Sequence, residues 1–289
     1  MTLDQESLEG KVAVITGAST GIGRATATVL AREGMRLVLA SRRPDRLELA
    51  VTELRASGAQ VLGVPTDVSQ YDEVQGLANK AKSEFGQVDV AFFNAGISGG
   101  SSLLDVDLDA WQRSVGTNVF GLLHGIKAFL PLVNQQGTGG SLLATSSGAG
   151  VHGTSYKTAT YAMTKSAQLT IMEALYGQLR DAGSKLHVGI VLPPLTRTNL
   201  AGDDLSIWSQ VERMLATSAN APALIEPHEV AEVILEGIRG RRFWIEATEE
   251  QNERLFGGRD SGATRRKEKL IGAKSEAILH GASPDGYLW

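Results

Sequence analysis

The 289-residue chain contains no cysteine, which excludes a disulfide framework and any thiolate-held metal. That fits a reducing compartment without requiring one. Histidine is scarce: there are five, with no i, i+4 pair and no carboxylates spaced to converge on them, so no metal site is expected. Positive charge is not in excess, and a formal net charge of -4 argues against nucleic acid as the main partner. No run approaches the ~20 apolar residues of a membrane span. The polar, acidic stretch from Met1 to Gly10 has no apolar core of a secretory signal. No repeat of solenoid length is visible. These absences leave a soluble, cytoplasmic protein as the expectation, with no membrane and no nucleic-acid partner. A hydrophobic content of 42% is enough to bury a real core.

What is present is an alternation. Short apolar runs lie at Val12–Thr16, Leu37–Ala40, Val61–Val64, Val88–Phe93, Ser141–Thr145, His187–Leu192 and Arg242–Ile245. They are nearly continuous in apolar residues, as strands covered on both faces should be. Between them lie patterns long enough for crossover helices: Gly21–Glu33, Pro44–Ala56, Gln70–Phe85, Trp111–Pro131, Thr160–Asp181 and Pro227–Arg239. Pro44 suits a first helical turn, and Gly34 and Gly58 are placed to stop helices. Asp107 is placed to cap a helix N-terminus. The expected fold is α/β, a Rossmann-type doubly wound parallel seven-stranded sheet with helices on both faces. Residues 1–246 form one domain in this reading, and 247–289 a C-terminal helical extension serving as oligomer arm or substrate lid.

The first strand runs into Thr16-Gly17-Ala18-Ser19-Thr20-Gly21-Ile22-Gly23 and then a helix. Glycines there allow a tight turn and close approach of backbone to a pyrophosphate, and the helix N-terminus offers free N–H groups to the anion. The second strand ends at Ser41-Arg42-Arg43, where an NAD site usually carries an acidic residue for the ribose 2′-hydroxyl. A guanidinium instead matches a 2′-phosphate in charge and fork geometry. NADP(H) is therefore expected in preference to NAD(H), with Arg42 the principal contact. The alternative is that both arginines decorate a helix N-terminus, where they would oppose its dipole.

Tyr161 and Lys165 stand four residues apart and share one face of a helix. A free phenol has a pKa of ~10, and a nearby ammonium favours the phenolate. Such a tyrosine can exchange a proton near neutral pH. The glycine turn, Asn94-Ala95-Gly96 after the fourth strand, and Tyr161-x-x-x-Lys165, in this order, resemble the short-chain dehydrogenase/reductase family in its compact single-domain branch. The resemblance runs from about Leu8 to Ile245.

The resemblance implies an enzyme that interconverts a ketone or aldehyde and an alcohol, with a small-molecule substrate and a homotetrameric or homodimeric assembly. Residue by residue it implies that Gly17, Ser19, Thr20, Gly21, Ile22 and Gly23 hold the dinucleotide, with Ser41, Arg42 and Arg43 at its adenosine end. It implies that Asp67 and Val68 contact the adenine, and that Asn94, Ala95 and Gly96 line the cofactor. Asn118 matches an asparagine that holds a water in the proton relay. Ser147 matches the serine that binds the substrate oxygen, Tyr161 the general acid/base, and Lys165 the lysine that binds the nicotinamide ribose and lowers the tyrosine pKa. Pro193 and Thr198 fall beside the nicotinamide.

Three features depart from the family pattern. The interval from Ser147 to Tyr161 is one residue longer than usual, and the usual count lands on Gly148. We read one inserted residue in Val151–Thr160 and keep Ser147, with Ser146 as fallback. Pro193-Pro194 replaces the usual Pro-Gly, stiffening that backbone and removing an N–H. The usual Gly-Gly-rich end is absent: Gly240–Ile245 is followed by about 44 further residues, more than ordinary terminal fraying, and the N-terminal edge of this tail resembles relatives that act on bulky lipophilic substrates.

Several residues have two readings. His152 could touch substrate or be loop surface, whereas His124 and His187 read as structural. Trp208 and Met214 suit an apolar lid or ordinary helix core. The basic run Arg265–Lys269, interrupted by Glu268, reads as a solvated helix or oligomer arm. Ile171, Met172, Leu175 and Tyr176 widen the apolar face of their helix, as a subunit interface or a buried position would. The alternative to an enzyme is a catalytically idle nucleotide-binding protein that regulates or scaffolds.

Overall fold

An apolar strand with no polar face is stable only if both faces are covered, and the sheet is built that way. In the computed structural model, which describes residues 7–99, 103–137, 139–152, 159–201, 208–209, 211–213 and 224–246, seven strands form one sheet. They are β1 Val12–Thr16, β2 Arg36–Ser41, β3 Val61–Pro65, β4 Val90–Phe93, β5 Ser141–Thr145, β6 His187–Val191 and β7 Trp244–Ile245. Their order is β3-β2-β1-β4-β5-β6-β7, and every pairing is parallel. The order reverses between β1 and β4, which opens a crevice at the carboxyl ends of those strands.

The described helices are α1 Gly21–Arg32, α2 Pro44–Ala56, α3 Tyr71–Phe85, α4 Leu108–Val115, α5 Gly121–Gln135, α6 Gly148–His152, α7 Ala159–Asp181 and α8 Pro227–Arg239. Successive strand residues face opposite layers. Ala13 and Ile15 of β1 join a core with Leu30 of α1, Leu47 of α2 and Ile234 of α8. Val14 joins the other core, with Leu77 of α3, Phe129 of α5 and Met172 of α7. The sheet is thus covered on both faces, the doubly wound α/β fold expected.

Three local features differ from the sequence expectation. The fourth strand begins at Val90; Asp89 before it bonds through its backbone to Val12 O and Ser141 N, each at 2.8 Å, and its carboxylate also accepts from the Val12 N–H at 2.7 Å. The helix expected over Trp111–Pro131 is α4, a π-turn at Gly116–Phe120, and α5. Asp107 caps α4 by accepting from the Ala110 N–H at 3.0 Å. Pro131 does not end the helix: Phe129 and Val133, fully buried on either side, carry α5 across the missing N–H. Met172 and Leu175 are buried in their own subunit's core, with Ile171 and Tyr176 packed against it, so this part of α7 reads as interior.

The extension at 247–289, including Arg265–Lys269, lies outside the described residues, as do Met214 and most of the loop expected at Val151–Thr160. Among the described residues no helix is long and apolar enough to cross a membrane, and no cluster of three metal-binding side chains occurs.

Candidate active site

The carboxyl ends of β1, β4 and β5 are drawn together by one side chain. Asn94 Nδ2 donates to the carbonyls of Thr16 and Gly17 at 3.2 and 3.3 Å, and its Oδ1 accepts from Thr145 Oγ1 at 3.0 Å. The turn between β1 and α1 has no room for side chains. A Cβ on Gly17, whose φ is 66°, would lie 2.8 Å from Ala95 Cα. A Cβ on Gly23 would lie 2.4 Å from the Gly17 carbonyl oxygen and 2.5 Å from Asn94 Nδ2. Thr20 precedes α1 without a side-chain cap, so the leading N–H groups of the helix face a cavity of about 270 Å³. Uncapped N–H groups and a backbone approachable at van der Waals distance fit a dinucleotide pyrophosphate. Ser19, Gly21, Ile22, Ala95 and Gly96 line the same cavity.

At the end of β2, Ser41 Oγ lies 2.8 Å from Ser19 Oγ, joining the glycine turn to the second strand. Arg42 and Arg43 both border the cavity but are not equivalent. Arg43 is the N-cap residue of α2 and pairs with Asp45 at 3.0 Å. Arg42 is exposed and has no ion pair among the described residues. Arg46, in the first turn of α2, also borders the cavity. It was not among the sequence candidates, although its place in the first turn of the helix that follows Arg42 and Arg43 could have marked it. Asp67 and Val68 border the same end. The Asp67 carboxylate accepts from Ser69 N and Oγ at 2.9 and 2.7 Å, which fixes the turn after β3.

At the other end of the cavity stand Tyr161 and Lys165, with Ser146 on the lining beside them. Ser147 is hydrogen-bonded to Tyr161, whereas Ser146 is buried and donates to the Lys165 carbonyl at 2.8 Å. Lys165 is 2% exposed, and its Nζ donates to the Thr145 carbonyl and to Gln168 Oε1, both at 2.9 Å. It lies 5.5 Å from the centre of the Tyr161 ring. Burial lowers the Lys165 pKa to about 7. Burial raises that of Tyr161 above its ordinary value, opposed by the Ser147 hydrogen bond. This direction is opposite to the one the Tyr–Lys spacing suggests, because desolvation of the phenolate outweighs the Ser147 hydrogen bond.

Asn118 is fully buried in the π-turn, as suits a side chain that knits elements together. Its Nδ2 donates to Ile97 O and Thr164 Oγ1, and its Oδ1 accepts from Ile97 N. Gln168 was missed by sequence reasoning, although a polar residue on the buried stripe of α7 is a readable anomaly. Pro193 and Thr198 border the cavity. The Thr198 carbonyl accepts from Trp208 Nε1 at 3.1 Å, and Trp208 is only 8% exposed. His124 binds the Val68 carbonyl at 2.9 Å, and His187 lies between Ser141 Oγ and the Arg242 carbonyl, both structural positions. The His152 side chain lies outside the described residues.

Comparison with known proteins meets this geometry. The short chain dehydrogenase family model matches residues 11–206. An uncharacterised oxidoreductase of Listeria innocua is 37% identical over 195 residues, covering 67% of this chain and 77% of its own length. The crystal structure of a short chain dehydrogenase/reductase from Burkholderia phymatum in complex with NAD superposes with a TM-score of 0.76 at 30% identity, covering 98% of this chain and 99% of that one. A 7α-hydroxysteroid dehydrogenase complexed with NADH and 7-oxo glycochenodeoxycholic acid superposes with a TM-score of 0.74 at 25% identity, covering 84% and 93%. Its fold, its glycine-turn cavity and these matches together make the chain a member of the short-chain dehydrogenase/reductase family of oxidoreductases, which use NAD(H) or NADP(H).

Proposed function

We propose that the protein is an NADP(H)-dependent oxidoreductase interconverting a ketone or aldehyde and an alcohol. The observation that carries the reading is the meeting, in one cavity, of an uncapped helix N-terminus with Tyr161 and a buried Lys165, Tyr161 being hydrogen-bonded to Ser147. The bound nicotinamide would supply the hydride. In reduction, Ser147 and Tyr161 would donate hydrogen bonds to the substrate oxygen, where negative charge grows, and Tyr161 would give up its proton. Lys165 would hold the nicotinamide ribose and stabilise the tyrosinate left behind. Asn118 would keep the loop after β4 fixed to α7, bounding the site.

The 2′-phosphate preference rests on Arg42, exposed at the cavity and free of ion pairs among the described residues, with Arg46 behind it. The NAD in the Burkholderia structure favours the opposite cofactor reading, which parallel titration separates. The steroid dehydrogenase relative supports a bulky lipophilic substrate. Phe120, Leu123 and Met163, exposed on the π-turn, α5 and α7, support a homodimer or homotetramer through those helices.

Tyr161→Phe tests the assignment. Turnover of a screened ketone or aldehyde with NADPH should fall by about 10²–10⁴-fold, while NADPH affinity stays within about threefold. A phenylalanine variant that retained most of its turnover would refute Tyr161 as the acid/base.

A further inference from the structure

We infer that Gln168 is a positioning residue of this site: its side-chain amide spans the Lys165 ammonium and the Asn118 main-chain carbonyl and holds the ammonium beside Tyr161. This deepens the proposed function and rests on its assignment of Lys165.

Gln168 follows Lys165 by three residues on α7, so the two side chains are neighbours on one face. It is 1% exposed, on a stripe that continues with Leu169 and Met172. A buried amide costs free energy unless its donor and acceptor are both used. Here Oε1 accepts from Lys165 Nζ at 2.9 Å and Nε2 donates to Asn118 O at 2.7 Å. An apolar residue in its place would leave the ammonium one acceptor short and that carbonyl without this donor.

The hydrogen-bonding capacity of Asn118 leads to the same conclusion. Both Nδ2 hydrogens are engaged, by Ile97 O at 3.0 Å and Thr164 Oγ1 at 2.9 Å, and Oδ1 takes the Ile97 N–H at 2.9 Å. The side chain is committed to holding the loop after β4. What it presents towards Lys165 is its main-chain carbonyl, in a turn where Gly121 N–H reaches back to Gly116 O.

An ammonium has three N–H donors. Thr145 O and Gln168 Oε1 take two from different elements, β5 and α7, which fixes the rotation of the group. Since Lys165 borders the cavity, the third is left for what binds there. The packing is close: a Cβ on Gly96 would lie 3.4 Å from Nζ. Among the described residues Tyr161 is the one titratable group facing the ammonium. From the other elements it meets the Thr145 carbonyl, Gly96 and, through Gln168, the Asn118 carbonyl, all uncharged. No carboxylate among the described residues shares in keeping Lys165 charged, so the neutral acceptors weigh on it.

The test reads Lys165 directly, without cofactor or substrate, in full-length protein carrying ¹³C-labelled lysine. The Lys165 Cε resonance is identified by its loss in Lys165→Arg and followed against pH. Gln168→Leu should lower its titration midpoint enough to cut the protonated fraction near neutral pH by about tenfold. Gln168→Glu should raise the midpoint. Gln168→Ala leaves a polar void of roughly two waters and should return towards wild type as water bridges the gap. In turnover assays the pH profile should move with the midpoint, and kcat should change more than KM. Midpoints that stay at the wild-type value in both Gln168→Leu and Gln168→Glu, or that move the same way in both, overturn the inference. If Gln168→Leu does not fold, the direction of the Gln168→Glu shift decides alone. Midpoints that move as expected in a protein that reduces no carbonyl would uphold the Gln168 link and refute the proposed function instead.

Discussion

Arg42→Ala isolates the adenosine end of the cavity from everything else in it. The side chain is exposed, borders the cavity and is not neutralised by a carboxylate among the described residues, so removing it leaves no buried charge behind. A hydrogen bond to a charged group contributes about 1.5–3 kcal/mol, and solvent exposure places this one near the low end. A loss of about 2 kcal/mol is about thirtyfold in Kd. Arg43 should not compensate, because it is held by Asp45 at the start of α2. Arg46, one turn further along α2, borders the same region and limits the loss. NADH lacks the 2′-phosphate, so its affinity should change by less than about twofold. Parallel calorimetric titrations with NADPH and NADH, at low and high salt, measure all of this, and the NADPH advantage should shrink with salt. An equal loss for both cofactors would mean that Arg42 touches something they share. A wild-type preference for NADH would show that Ser41-Arg42-Arg43 had been misread.

Two further perturbations separate the cradle from the scaffold. Gly23→Ala places a Cβ 2.4 Å from a backbone oxygen and should destabilise the fold by about 1–3 kcal/mol. It should also weaken NADH and NADPH together by at least about tenfold, unlike Arg42→Ala; a selective loss of one cofactor would contradict the cradle assigned to it. His187 is buried and neutral, its pKa lowered to about 4 by burial. Above pH ~6.5 it is uncharged folded or unfolded and has no effect; as pH falls from ~6.5 to ~4 the unfolded chain takes up the proton first, and stability drops by about 3 kcal/mol. Urea titrations across that range should show a shallower decline for His187→Asn, and superimposable profiles would assign the acid sensitivity elsewhere.

The strands were legible because burial on both faces demands continuous apolar runs, and Val12–Thr16 and Ser141–Thr145 are bounded as their runs are. Ends were less legible: at the start of β4 Asp89 bonds to both neighbouring strands through its backbone and to Val12 N–H through its carboxylate, yet the strand proper begins one residue later. The glycine turn was legible because its constraint is steric and local: at Gly17 and Gly23 no other side chain fits. Arg42 was expected as the principal contact from its position alone; the pairing of Arg43 with Asp45, which sets the two apart physically, was not legible. Gln168 was legible only as a polar residue on a buried stripe, and its role was not. Its partners are Lys165, a near neighbour, and Asn118, fifty residues earlier, and only the packing of α7 against the π-turn brings the latter within 2.7 Å. A spacing rule that finds Tyr161 and Lys165 on one helix cannot find a contact made by topology.

The same helix shows why burial and chemistry must be weighed together. A sequence selected for stability alone would fill positions 165 and 168 with apolar residues, since a buried cation among neutral acceptors costs more than well-packed hydrocarbon. Instead α7 carries Lys165 at 2% exposure and Gln168 at 1%, inside a buried stripe that also holds Thr160, Ala162, Thr164, Leu169, Met172 and Leu175. The cost is visible in the direction of both shifts, the lysine lowered and the tyrosine raised by burial. Local patterning is broken at the point where β5, the π-turn and α7 converge on the cavity, and breaks of that kind concentrate at sites that use the charge. Under the proposed function Lys165 serves both the nicotinamide ribose and the tyrosinate, so a protein that only bound a dinucleotide would still use the lysine but would not need Gln168 to hold it beside Tyr161.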